Sequence, residues 1–307
     1  MDVSSAAKRS MTYEVPDQGW EDALCLGALD DRRAQTGGID MHSAKCRLAS
    51  LLACIFAIAA GPAGAETVLI TGSNQGIGLE FARQYAARGW QVIATHRREN
   101  TPETLARLAR EYPKVRVERM DVTDHGQIEA LAAKLDGEPI DLLLHNAALI
   151  RFAPINDPEG NAGQMFGTLD YEHFDRFMRT NVAGPLKITE AFIEHIRAGR
   201  LKKVIAISSA AGMVSLPPRS ADHYWYRISK AALNSAMRLL AVEFADEGIT
   251  VAMFHPGGVQ VESFGNLKLA GMVPPEEAVG KMVATIDRLT PEDSGRFLQN
   301  DGRDQPW

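Results

Sequence analysis

The chain has 307 residues, 45% of them hydrophobic and 23% charged, which excludes a fibrous or wholly disordered protein and leaves room for one large domain or two small ones. Its net charge of -6, with no dense Lys/Arg run, argues against a nucleic-acid surface and points to small molecules as partners. Cys25, Cys46 and Cys54 all precede residue 66, so the chain beyond that point can form no disulfide, cysteine-ligated metal site or cysteine nucleophile of its own.

Residues 1–40 are polar, lack sustained periodicity and read as an extension upstream of a second possible start at Met41. From Met41 the stretch MHSAKCR leads into the apolar run 48–60 and then into the small-residue sequence GPAGA, ending at Ala65. This order resembles a secretory signal peptide, and the run is shorter than the roughly 20 residues of a comfortable membrane span. The expectation is an exported, periplasmic form cut after Ala65. Two alternatives stand beside it: an uncleaved anchor at the inner membrane, with contact through residues 48–60, or a buried helix of a cytoplasmic protein.

After residue 65, short β-rich runs alternate with helical stretches. TVLIT is followed by the helix GIGLEFARQYAARG, QVIATH by a polar helix over 102–112, and then come VRVERM and DLLLHNA. A helix near 171–199, the strand KKVIAIS, a long helix over 226–245, ITVAMFHP and GRFLQND complete the series. Strand and helix taking turns predicts right-handed βαβ units. Interiors such as VIAI and DLLL suit parallel strands buried on both faces. The expected fold is one α/β domain over 66–307, a doubly wound parallel sheet of about seven strands flanked by helices.

Between the first strand and first helix lies Thr71-Gly72-Ser73-Asn74-Gln75-Gly76-Ile77-Gly78. Gly72 suits the tight turn, Gly76 admits a pyrophosphate close to the backbone, and Gly78 lets helix and sheet approach. The unpaired N–H groups of the helix start then face an anion. With TGSNQGIG in this setting, the chain resembles the short-chain dehydrogenase/reductase family. The resemblance implies a Rossmann-type fold and a nicotinamide cofactor bound along Gly72 to Gly78.

Other segments carry the same resemblance. Strand two ends in Ala94-Thr95-His96-Arg97-Arg98, without the acid that would bond the ribose 2′-hydroxyl of NAD. Arg97 instead suits a 2′-phosphate, which favours NADP(H) and leaves NAD(H) possible; Gln75 stands where many NADP-preferring relatives carry a basic residue. By resemblance, Asp121 and Val122 border the adenine, and Asn146 and Ala147 belong to the stretch that ties strand four to its neighbours, with Ala148 in place of the family's glycine. Pro256, Gly257 and Val259 match the turn beside the nicotinamide amide, and Val261 stands where many relatives have threonine.

Tyr226 and Lys230 are four residues apart and share one helix face. YRISK matches the family's Y-x-x-x-K, and Ser209 matches its substrate-orienting serine. Asn181 completes an Asn-Ser-Tyr-Lys tetrad in which Tyr226 exchanges the proton, Lys230 lowers the tyrosine pKa and also contacts cofactor, and Asn181 maintains the proton relay. Ser209 and Tyr226 are 17 residues apart, longer than is usual in the family, with the extra length in the loop SLPPRSADHYW.

YRISKAALN, HPGGV and the closing segment most resemble the C-factor-like branch. The resemblance implies an oxidoreductase acting between carbonyl and alcohol, and the alternative is a cofactor-binding signalling protein with little turnover. Met213, Val214, Leu216, Trp225 and the 260–273 segment are expected either to line the substrate pocket or simply to pack the loop. The helix 226–245, with Ala231, Leu233, Ala236, Met237, Leu240 and Phe244 over more than one face, suggests a homodimer.

Overall fold

A computed structural model describes residues 64–151, 163–217, 220–262 and 270–307. It separates the chain into Met1–Pro62 and Ala63–Trp307, and the description that follows concerns the second unit. The polar extension, nearly all of the signal-like segment and part of the 260–273 segment lie outside the described residues.

Seven strands form one parallel sheet: β1 Thr67–Ile70, β2 Gln91–His96, β3 Val115–Arg119, β4 Leu142–His145, β5 Lys203–Ile207, β6 Thr250–His255 and β7 Phe297–Gln299. Among the described residues seven α-helices occur, in chain order α1 Gly76–Ala87, α2 Glu103–Glu111, α3 His125–Lys134, α4 Tyr171–Met178, α5 Gly184–Ala198, α6 Tyr224–Glu243 and α7 Pro275–Arg288. The strand order is β3-β2-β1-β4-β5-β6-β7, so the winding reverses between β1 and β4. In open α/β sheets the crevice beyond the carboxyl ends of the strands at such a switch point is the ligand site.

Strand alternation explains why both faces are apolar. Val68, Ile70, Val92 and Ala94 point to one face and pack with Phe81 and Tyr85 of α1 and Val279 and Met282 of α7. Leu69 and Ile93 point to the other and pack with Ile128 of α3, Ile188 and Phe192 of α5, and Leu233 and Met237 of α6. Each fully buried side chain of this size contributes about 1.5 to 3 kcal/mol, so both helix layers are held by burial.

Two boundaries differ from the sequence reading. The helix expected over 171–199 is broken by a π-helical turn at Arg179–Ala183, and α6 begins two residues before Tyr226. Helices α3 and α7 were not anticipated. Helix α3 opens on Asp124, whose side chain accepts from Gln127 N, and α7 has Pro275 in its first turn; both are start signals legible in sequence.

Candidate active site

The glycine turn sits at the switch point. Gly72 and Gly76 have φ of +67° and +56°, where a side chain would be strained. A Cβ on Gly72 would lie 2.9 Å from the Ala147 Cα, and one on Gly76 would lie 3.2 Å from Val261 Cγ1. A Cβ on Gly78 would collide with Asn146 Nδ2 and the Gly72 carbonyl. Asn146 braces the turn: its Nδ2 donates to the Thr71 and Gly72 carbonyls at 3.0 Å each. Thr71 Oγ1 accepts from the N–H groups of Asn146 and Ala147 at 3.0 Å each.

Ser73 is buried, its N–H donating to the Thr95 carbonyl at 2.8 Å and its Oγ to that of Ile70 at 2.9 Å. The Asn74 carbonyl accepts from Thr104 Oγ1 at 2.7 Å. Gln75 and Ile77 flank Gly76, where α1 starts with no side-chain cap and no acidic residue in its first turn. The positive helix end therefore faces the crevice, which fits a phosphate-bearing nicotinamide cofactor.

The adenosine-side candidates line the same edge. Arg97 is exposed one residue past β2, Asp121 is partly buried and accepts from Thr123 N and Oγ1, and Val122 is buried. At the far side, Gly257 has φ of +83°, the Pro256 carbonyl accepts from Asn300 Nδ2 at 2.9 Å, and Val259 is buried.

The tetrad assembles from three distant segments. Asn181 lies in the π-helical turn, buried, its Oδ1 accepting from Leu149 N at 2.7 Å and its Nδ2 donating to the Leu149 carbonyl and to Ser229 Oγ at 2.9 Å each. Ser209 Oγ accepts from Ala211 N at 3.1 Å, and Ser209 acts on the Tyr226 phenol so as to lower its pKa. Ser208, by contrast, is bound to Asn234 Oδ1 at 2.5 Å. Lys230 is 2% exposed and donates from Nζ to the Ile207 carbonyl at 2.8 Å. Its ammonium lies 5.9 Å from the Tyr226 ring centroid.

Burial pushes Lys230 down to about 7. Burial also raises the Tyr226 phenol, while the Ser209 hydrogen bond and the charges of Arg151 and Arg227 pull it back. Sequence reasoning missed Arg151 and Gln164. Gln164 is buried; its carbonyl accepts from Tyr224 N at 3.0 Å and its Oε1 from Tyr226 N at 3.3 Å, positioning the start of α6. Nothing in its sequence neighbourhood marks it, because the contact spans 62 residues.

Two residues expected at the pocket have described surroundings. Val214 lines a groove along α6 with Gly212, Ala231, Arg238, Leu239 and Trp307. Trp225 is buried, its ring 5.5 Å from Tyr171 and 5.3 Å from Phe174, so it packs the fold.

Comparison with known proteins agrees with this geometry. The short chain dehydrogenase family profile matches residues 66–270. The 1-hydroxy-2-glutathionyl-2-methyl-3-butene dehydrogenase of Rhodococcus sp. (strain AD45) is 32% identical over 245 residues, covering 79% of this chain and all of the relative. C-signal of Myxococcus xanthus is 32% identical over 180 residues, covering 59% of this chain and all of the relative. Among solved structures, NADPH-bound carbonyl reductase from chicken fatty liver is 29% identical, with a TM-score of 0.70 over 79% of this chain and 99% of that one. With its seven-stranded Rossmann-type sheet, this chain belongs to the short chain dehydrogenase family, in its C-factor-like branch, and is an oxidoreductase.

Proposed function

We propose that the protein is an NADP(H)-dependent carbonyl reductase or alcohol dehydrogenase in which Tyr226 is the general acid and base. The observation that carries this reading is the convergence of Ser209, Tyr226 and buried Lys230 at the same sheet edge as the glycine cradle. The cofactor, when bound, supplies or accepts the hydride. The residues of Gly72 to Gly78 hold its pyrophosphate, Arg97 its 2′-phosphate, and the Pro256 to Val259 turn borders its nicotinamide. Ser209 and Tyr226 offer two hydroxyls to one carbonyl oxygen; Ser209 polarises it and Tyr226 delivers the proton. Lys230, with its pKa near neutrality, returns a proton toward the tyrosine, and Asn181 keeps α6 against the segment after β4.

The test is an NADPH oxidation screen over aldehydes, ketones and quinones with wild type and Tyr226→Phe. Turnover should fall at least about 100-fold, with cofactor affinity close to normal. Retained turnover removes Tyr226 from the chemistry. Similarity to C-signal supports a second reading, a cofactor-binding signalling protein. Tight NADPH binding with no carbonyl turned over in any variant selects it.

We further propose that the mature form is exported and begins at Glu66, on the signal-like pattern of residues 41–65. N-terminal sequencing of the native protein decides it, since a cytoplasmic species retaining residues 41–65 rejects export. A homodimer through α6 is proposed on different residues from those expected. Leu233, Ala236 and Met237 are buried in the fold, while Leu239 and Val242 are 69% and 78% exposed. Leu239→Glu should convert a dimer to a monomer in analytical ultracentrifugation.

A further inference from the structure

Two consecutive residues at the end of β5 are bonded to α6. The Ile207 carbonyl accepts from Lys230 Nζ at 2.8 Å, and Ser208 Oγ donates to Asn234 Oδ1 at 2.5 Å. Ser209 follows with its backbone extended, at φ of −160° and ψ of 149°, before the turn Ala210–Gly212. That turn also lies against the helix, since a Cβ on Gly212 would come within 2.8 Å of the Lys230 backbone carbon. The substrate-orienting serine is thus the immediate neighbour of one that is bonded to the helix carrying Tyr226 and Lys230.

On α6, Tyr226, Lys230 and Asn234 recur every four residues and so share a face. Asn234 is one turn past the lysine and about 12 Å along the axis from the tyrosine, at 1.5 Å per residue. A helix passes a shift along its length instead of absorbing it, so the place of Asn234 on β5 sets the place of Tyr226 relative to Ser209. The tolerance is narrow, because a misplacement of about 1 Å can slow a reaction about 100-fold.

Packing alone does not call for a polar pair at this contact. Ser208 and Asn234 are each 3% exposed, Asn234 is flanked on the helix by the core residues Leu233 and Met237, and its Nδ2 has no partner among the described residues. A buried amide that meets only part of its hydrogen-bonding capacity is less stabilising than an apolar pair of the same shape. What the polar pair adds is direction: a short hydrogen bond holds one register, whereas apolar contacts tolerate sliding.

We propose that Ser208 and Asn234 are positioning residues that set the register of α6 on β5, so that the Ser209 and Tyr226 hydroxyls reach one carbonyl oxygen. Both are buried and act through Ser209, Tyr226 and Lys230. The inference rests on the reductase reading above.

NADPH oxidation is followed with 4-nitrobenzaldehyde, acetophenone and 1,4-naphthoquinone for wild type, the double variant Ser208→Ala/Asn234→Leu, Ser208→Thr and Tyr226→Phe. The double variant replaces the polar pair by apolar groups, so its urea midpoint should equal or exceed that of wild type. Its kcat should fall about 10- to 100-fold on every compound that wild type reduces, while KM and the NADPH dissociation constant, read by cofactor fluorescence, move less than about 3-fold. Ser208→Thr keeps the donor, and its kcat should stay within about 5-fold of wild type. If the double variant does not fold, Ser208→Ala, which removes the same bond, takes its place with the same expectations for kcat, KM and NADPH. A kcat within about 3-fold of wild type overturns the proposal. So does a loss spread alike over kcat, urea midpoint and NADPH affinity, which marks a purely structural pair, and so does a Ser208→Thr as slow as the double variant. Tyr226→Phe separates this from the reductase reading: retained turnover there removes that reading, whereas its collapse beside a fast double variant removes the register proposal alone. Tight NADPH binding with none of the three compounds reduced by wild type rejects both.

Discussion

The two edges of the sheet treat buried polar groups in opposite ways. At the amino edge Asp141, Lys203 and His195 each have a strong partner, although the buried Tyr85 hydroxyl there has none among the described residues. Asp141 accepts from Thr67 N and Arg200 N at 2.8 Å each and from Leu201 N at 3.2 Å, while Lys203 Nζ donates to the Ile286 and Asp287 carbonyls at the end of α7. His195 Nδ1 lies 2.8 Å from the Glu138 carbonyl. At the carboxyl edge β2, β4 and β6 end in His96, His145 and His255, each with an Nδ1 that has no partner among the described residues. Burial pushes His145 down to about 3 and His255 to about 4, and it brings Lys230 to about 7. One edge ties the strands together, and the other holds imidazoles and an ammonium whose charged forms burial penalises. That division is what a ligand crevice at the carboxyl edge requires, because stability and chemistry make competing demands on the same kinds of residue.

The sharpest way to break this contrast is Lys230→Met. In the unfolded chain a lysine keeps its proton to about pH 10.4, whereas folded Lys230 gives its proton up near 7. Between those values the unfolded state binds more protons, so this group makes stability rise with pH, by about 1.4 kcal/mol per unit and on the order of 4 kcal/mol in all. Below pH 7 the full cost is present and constant. Urea titrations at pH 7, 8 and 9 should show wild type gaining stability relative to Lys230→Met over this interval. Parallel pH dependence in the two proteins would place Lys230 with the satisfied groups of the amino edge.

Asp141→Ala probes the other edge. It leaves three backbone donors without their acceptor, at an expected cost of about 2 to 4 kcal/mol. NADPH affinity should stay near wild type, because the residue lies at the opposite end of the strands. An unchanged urea midpoint would show that the amino edge does not depend on its polar groups.

Arg97→Ala should weaken NADPH by roughly 1.5 to 3 kcal/mol, about 10- to 150-fold, and NADH far less, since the lost hydrogen bonds address the 2′-phosphate alone. Urea stability should not move, because the side chain is exposed. Equal losses for both cofactors would make Arg97 a structural residue. The smallest effect is expected for Tyr224→Phe: Tyr224 opens α6 beside Phe166, and its removed hydroxyl should change turnover less than about 2-fold, in contrast to Tyr226→Phe. A larger loss would extend the chemical edge further toward the rim than the tetrad does.

The parts of the molecule that the sequence determined by itself are those carried by short, local patterns. Near-continuous apolar runs on strands buried on both faces, glycines in the first turn where a side chain would be strained or would collide, and a tyrosine and lysine one helical turn apart are all readable within a few residues. They were enough to place the sheet, the Gly72–Gly78 turn and the Tyr226–Lys230 face. Helix α7 was left out of the series of expected elements, although a proline at the first helical position is a start signal. What only the tertiary structure decided depends on contacts between distant segments. Asn181 reaches across 32 residues to Leu149, and Gln164 reaches across 62 to Tyr226. The groove that Val214 shares with Ala231 and Trp307 likewise joins segments far apart in the chain. Side-chain burial follows the same rule: Lys230 has an ordinary sequence neighbourhood, and its lowered pKa exists only because β5, α6 and the turn at Asn181 close around it and remove the water that would solvate a charge.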